Sequence, residues 1–226
     1  MGSQTLRLFA FRRPGDVAAM ILLDPYVEGE NQRLAAIEPK LGTEAAMLRE
    51  LDAKCMASFQ SGKLTAELAE QEGCIASAPP GASAALQALL RQQRMSRTGF
   101  EAAAAETAAF ETMNDAILAR QTAKLGALPL LILSARRNYS EADLAPTQAK
   151  LHDAQFALHQ SMAALSSCGV VRWAVADHVI QTSNPVLVEA AVAEMLRSLP
   201  SRSAHGKPDI IQSSNRVFGQ CDIGQR

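Results

Sequence analysis

Aromatic residues are scarce in this chain, 4% of 226 residues with one tryptophan, and alanine is abundant. Alanine loses no side-chain entropy on entering a helix, so helix is expected to dominate and an all-β architecture is disfavoured. Charge of either sign is also modest, 22 Lys and Arg against 23 Asp and Glu for a net −1. That balance lacks the basic footprint of nucleic-acid binding, and 48% hydrophobic content excludes a chain too polar to bury a core. No apolar run approaches the roughly eighteen uncharged residues that a membrane span needs. The first residues lack a basic start, an apolar stretch and a small-residue cleavage site. Nucleotide-binding glycine patterns, Gly-x-Gly-x-x-Gly or the P-loop, are missing, and the four cysteines do not have zinc-site spacing. No cofactor or metal is expected.

Three short apolar runs are present, at 17–23 (VAAMILL), 128–134 (LPLLILS) and 170–175 (VVRWAV). The first two lack the polar alternation of a half-exposed strand, and all three read as buried parallel strands. Between the second and third, Leu151, Ala154, Leu158, Met162 and Leu165 recur at helical spacing, which completes a β-α-β unit. After the third run, Asn184 is placed to cap a helix beginning at Pro185, with Val188, Val192, Met195, Leu196 and Leu199 as its expected buried stripe. Residues 26–125 differ in kind: charged and alanine-rich helical stretches, broken at Gly73 and at Ala78-Pro79-Pro80-Gly81, with no convincing strand. They read as a helical insertion. The tail from residue 200 lacks periodicity and reads as loose. The resulting division is 1–25, 26–125, 126–199 and 200–226.

The chemistry depends on His178. It follows the third strand, where open α/β sheets place their ligands, and histidine can act as a base near neutral pH. The string Ala176-Asp177-His178-x-x-Gln181-x-x-x-Pro185, running from a strand into an amphipathic helix, resembles the catalytic-histidine loop of α/β-hydrolases. The opening also resembles that family. Residues 2–25 look like the helix after the nucleophile elbow, an Arg-Pro turn at Arg13-Pro14, and a strand ending in Leu23-Asp24-Pro25. The resemblance implies the C-terminal part of an α/β-hydrolase fold, three parallel strands with flanking helices, carrying a large helical cap insertion. It implies a serine hydrolase acting on a small ester or amide.

In that family the nucleophile lies in Gly-x-Ser-x-Gly on a strained strand-to-helix turn. Only the end of that motif, at Met1-Gly2, is matched here, so the expected nucleophile is upstream and the chain by itself is expected to be inactive. Ser3 has no preceding strand to hold it in an elbow and reads as a helix N-terminal serine. The resemblance makes His178 the base and Asp24 the first choice of acid, with Glu141 and Asp143 as alternatives after the second strand. Asp177 adjoins His178, but neighbouring side chains in an extended segment diverge, so it reads as a solvated charge.

Cys55, Gly62-Lys63-Leu64 and Gly73-Cys74 resemble a cap pattern of exported bacterial α/β-hydrolases in which the two cysteines form a disulfide. Two free thiols remain the plain reading in a reducing cytosol, and Cys168 and Cys221 show no evident partner. His152 and His159 lack a carboxylate or cysteine companion and read as a solvated helix face. The pairs Arg12-Arg13 and Arg136-Arg137 read as surface charge or as complements to helix ends rather than a phosphate site.

Nothing in the sequence as written directs export, although a leader preceding these residues would change that. The first strand is expected to expose an unpaired edge, which favours homo-oligomers or aggregation. The alternative to a hydrolase is a non-enzymatic remnant that uses this edge or the helical insertion as a protein-interaction module.

Overall fold

The computed structural model describes residues 2–76, 78, 81–118, 124–136 and 146–199. The chain begins with helix α1 (Gly2–Arg12), strand β1 (Met20–Leu23) and the short helix α2 (Glu30–Leu34). Four helices follow: α3 (Glu44–Gln60), α4 (Ala66–Gln71), α5 (Ala84–Arg94) and α6 (Arg97–Leu118). The chain then returns to β2 (Leu130–Arg136), α7 (Pro146–Ala163), β3 (Gly169–Val175), α8 (Ile180–Ser183) and α9 (Pro185–Ser198). The protein is thus mixed α/β, with one sheet of three parallel strands in the order β1-β2-β3. All three expected parallel strands are present, with boundaries shifted by up to three residues, but only β2 is buried along its core: β1 alternates and β3 is mostly half-buried.

The central position of β2 follows from its composition. Leu130, Leu131, Ile132 and Leu133 are buried without alternation, as a strand covered on both faces requires. Its register sets Leu130 beside Met20 on one side and beside Gly169 on the other. Gly169 is dictated by packing, since a Cβ there would overlap the Ala163 carbonyl at the end of α7. On β3, Trp173 stacks against Phe156 of α7 at 4.1 Å between ring centroids. Arg172 forms a two-pronged ion pair with Glu194 of α9 at 2.7 and 3.0 Å.

Helix α9 starts as the sequence indicates: the Asn184 side chain accepts from the Leu187 N–H at 3.2 Å and Pro185 is its first residue. The buried stripe is narrower than expected. Ala191 and Met195 are buried, with Leu187 and Val188 packed against the same core, whereas Val192 and Leu196 are exposed. A helix turns about 100° per residue, and the positions that face the sheet are 187, 188, 191 and 195, one step around from those two.

The chain divides into two compact units, Met1–Glu38 with Ala116–Arg226, and Pro39–Asp115. The first contains the sheet. The second is helical among its described residues and has its own core of Cys55, Leu64, Ala69, Ile75 and Phe100. Its chain reversals use glycine where the backbone is left-handed, Gly73 at φ +76° and Gly81 at φ +80°, a region that residues with a Cβ seldom adopt. A disulfide joins Cys55 and Cys74, with their Cα atoms 5.5 Å apart. Cys168 is also disulfide-bonded, against the expectation that it has no partner; Cys221 and the tail read as loose lie outside the described residues. Among the described residues, no helix is long and apolar enough to cross a membrane.

Candidate active site

The three strands are parallel, so their carboxyl ends lie on one edge of the sheet. β1 ends at Leu23 and Asp24 follows at once; β3 ends at Val175 and His178 is three residues on. Residues separated by 154 positions are thereby brought into contact. The Nδ1–H of His178 donates to Asp24 Oδ2 at 2.7 Å. The two side chains differ sharply in exposure, 77% for His178 and 5% for Asp24. With Nδ1 tied to the buried carboxylate, Nε2 on the open side of the ring is the nitrogen available to exchange a proton with a bound reactant.

Asp24 is held from several directions. Its Oδ1 accepts the Ala135 N–H at 2.9 Å, and its own N–H donates to the Leu133 carbonyl at 2.7 Å, so the end of β2 grips both its backbone and its carboxylate. Its φ of +43° is the one positive value at a non-glycine among the described residues. Aspartate tolerates this region better than most residues, yet such a conformation is kept only where surroundings impose it. The Asp24 hydrogen bond raises the His178 pKa above the ordinary imidazole value, against a smaller opposing effect of burial.

A set of buried polar side chains backs this pair, and sequence reasoning missed it. Glu30, at the start of α2, is buried and its Oε2 accepts the Val27 N–H at 2.9 Å. Burial, with the nearby Asp24 and Glu28 charges, pushes its pKa up to about 7, opposed by the Val27 hydrogen bond and by His178. Glu28 pairs with Arg7 of α1, both buried.

His159, read from sequence as part of a solvated face, is completely buried. Its ring bridges Ser134 Oγ and the Pro25 carbonyl, each at 2.8 Å, and burial lowers its pKa. The signal that could have found it is its place beside Leu158 and Met162, the residues that pack α7 onto the sheet.

The remaining sequence candidates separate clearly. Ser3 lies in the first turn of α1, where its hydroxyl donates to the Tyr26 carbonyl at 3.3 Å. Asp177 is exposed, its backbone N–H bonded to Ser183 Oγ at 3.0 Å. Arg12 and Arg13 are exposed, while Arg136 lies over the Trp173 ring, 5.3 Å from its centroid. Glu141, Asp143 and Arg137 lie outside the described residues. No group of His, Cys, Asp and Glu among the described residues is arranged to hold a metal ion. No family model, curated protein or solved structure matches this chain.

Proposed function

We propose that this chain carries the base and acid of an α/β-hydrolase-type serine hydrolase, with the nucleophilic serine supplied by residues outside the given sequence. The observation that supports this reading best is the His178–Asp24 hydrogen bond at the carboxyl edge of a parallel sheet. An imidazole oriented through Nδ1 by a buried carboxylate presents Nε2 to a hydroxyl. His178 takes the serine proton as the hydroxyl attacks an ester or amide carbonyl, then delivers it to the departing alcohol or amine. Asp24 keeps the ring in the required tautomer and stabilises the imidazolium. The oxidised state of Cys55, Cys74 and Cys168 suits an exported protein, because disulfides persist in oxidising compartments.

On this reading the 226 residues by themselves should not hydrolyse esters, since the nucleophile and oxyanion hole that the reading places elsewhere carry most of the rate. The test starts with the coding sequence read in frame ahead of the Met1 codon. A strand ending in Gly-x-Ser there supports the reading, and the extended protein should then turn over a short-chain aryl ester in a manner lost with His178→Ala. An in-frame stop codon with no such motif refutes it, as does an extended protein whose turnover survives His178→Ala.

One observation favours a second reading. β1 is an edge strand of the described sheet, and Leu6 and Phe9 of α1 are about half exposed. A sheet edge of this kind can recruit another chain, which would make the protein an interaction module.

A further inference from the structure

We propose that His159 is a positioning residue for the Asp24 carboxylate, its imidazole tying together the two backbone segments that hold that carboxylate in place. The proposal rests on the reading of Asp24 and His178 as acid and base.

The two partners of the His159 ring lie on either side of Asp24. Pro25 is the next residue in the chain. Ser134 directly precedes Ala135, whose N–H is the donor to Asp24 Oδ1. One ring therefore pins the Pro25–Tyr26 peptide, one residue beyond Asp24, and, through Ser134, the strand end that grips the carboxylate. The proton positions follow from the chemistry of the partners. The Pro25 carbonyl only accepts, so Nε2 carries the hydrogen and donates to it. A neutral imidazole then has a bare Nδ1, which accepts from the Ser134 hydroxyl. Burial favours that neutral form, against the Pro25 hydrogen bond and the nearby Asp24 charge. Both ring nitrogens are used and both partners are themselves polar, so an apolar side chain at 159 would leave a carbonyl and a hydroxyl without these bonds.

A histidine that served only to satisfy core polar groups would need no connection to His178. The connection proposed here has a specific consequence. The left-handed backbone at Asp24 runs against the extended conformation favoured before proline, and on this proposal the His159 bridge helps to hold it. When the bridge goes, the carboxylate should drift and His178 should lose part of the hydrogen bond that raises its pKa.

The experiment is an NMR titration of the His178 ring in the full chain, comparing the parent protein with Asp24→Asn, His159→Phe and Ser134→Ala, each checked for a cooperative melt. Asp24 and Glu30 are the carboxylates that raise the His178 pKa, and neither is altered in the last two variants. The parent His178 should titrate above the ordinary imidazole value and Asp24→Asn should move it down. His159→Phe should move it down as well, and Ser134→Ala, which removes one arm of the bridge, should move it part of the way.

If His159→Phe does not melt cooperatively, Ser134→Ala carries the same test. An Asp24→Asn effect with His178 unmoved in the folded bridge variants refutes this proposal and leaves the acid–base reading standing. If Asp24→Asn itself leaves His178 unmoved, the acid–base reading falls and the proposal falls with it.

Discussion

Glu30→Gln is expected to stabilise the chain at pH 8 and to leave it nearly unchanged near pH 4. Glu30 is 7% exposed, and its pKa is raised from 4.5 to about 7. Burial is the main cause, with the Asp24 and Glu28 charges adding to it. An acid whose pKa is higher in the folded state binds more protons there than in the unfolded chain, so stability falls as pH rises from about 4.5 through about 7. At 1.36 kcal/mol per unit, the ionised form at pH 8 costs the fold roughly 3 kcal/mol. Glutamine resembles the protonated acid: its carbonyl still accepts the Val27 N–H, and its amide takes the place of the oxygen that accepts from Gln155 at 3.5 Å, a contact kept when the Gln155 amide turns to present its own oxygen.

The variant should therefore recover most of that cost at pH 8 and progressively less toward pH 4. Urea unfolding at several pH values, followed by the fluorescence of Trp173, gives the difference directly, because Trp173 and Glu30 lie in the same compact unit. A Glu30→Gln effect of equal size at pH 5 and pH 8 would refute the reasoning, since only a titrating group can make the difference depend on pH.

Replacing Cys55 and Cys74 together by alanine should destabilise the unit Pro39–Asp115. The cysteines are 19 residues apart, and freeing a loop of that size lowers stability by about 3 kcal/mol in the chain-entropy account. The helical circular dichroism should begin to melt at a lower denaturant concentration than in the parent; an unchanged helical transition would count against it. Gly169→Ala should cost about 1–3 kcal/mol, because the new methyl must displace the Ala163 carbonyl, and a Trp173-monitored melt at the parent midpoint would show the contact to be slack. The chain should self-associate as concentration rises, through the β1 edge and the exposed Leu6 and Phe9; a monomeric mass by light scattering at all concentrations would rule that out.

Much of the first unit was legible in sequence. Unbroken apolar runs identify buried strands because a strand covered on both faces has no polar positions to spare, and β2 is the clearest case. Asn184-Pro185 announced α9 because a cap and its first helical residue are local features. The sites that could not be read locally are those whose neighbours come from far along the chain. His159 is bonded to Ser134 and Pro25, 25 and 134 positions away, and helical spacing alone left it on the wrong side of the α7 surface. Glu28, Glu30 and Arg7 carry no motif, and the ion pair that joins Arg7 of α1 to Glu28 spans 21 positions.

The sequence by itself determined the strand cores, the start of α9 and the helical reading of residues 26–125, and a family resemblance supplied the expectation that His178 pairs with a carboxylate at the end of a strand. Tertiary structure decided that Asp24 meets His178 at 2.7 Å and which buried groups stand behind it. The physical reason is one of range. Propensity and hydrophobic period act over a few residues. Hydrogen bonds between strand ends exist only once three parallel strands have set their carboxyl edges side by side.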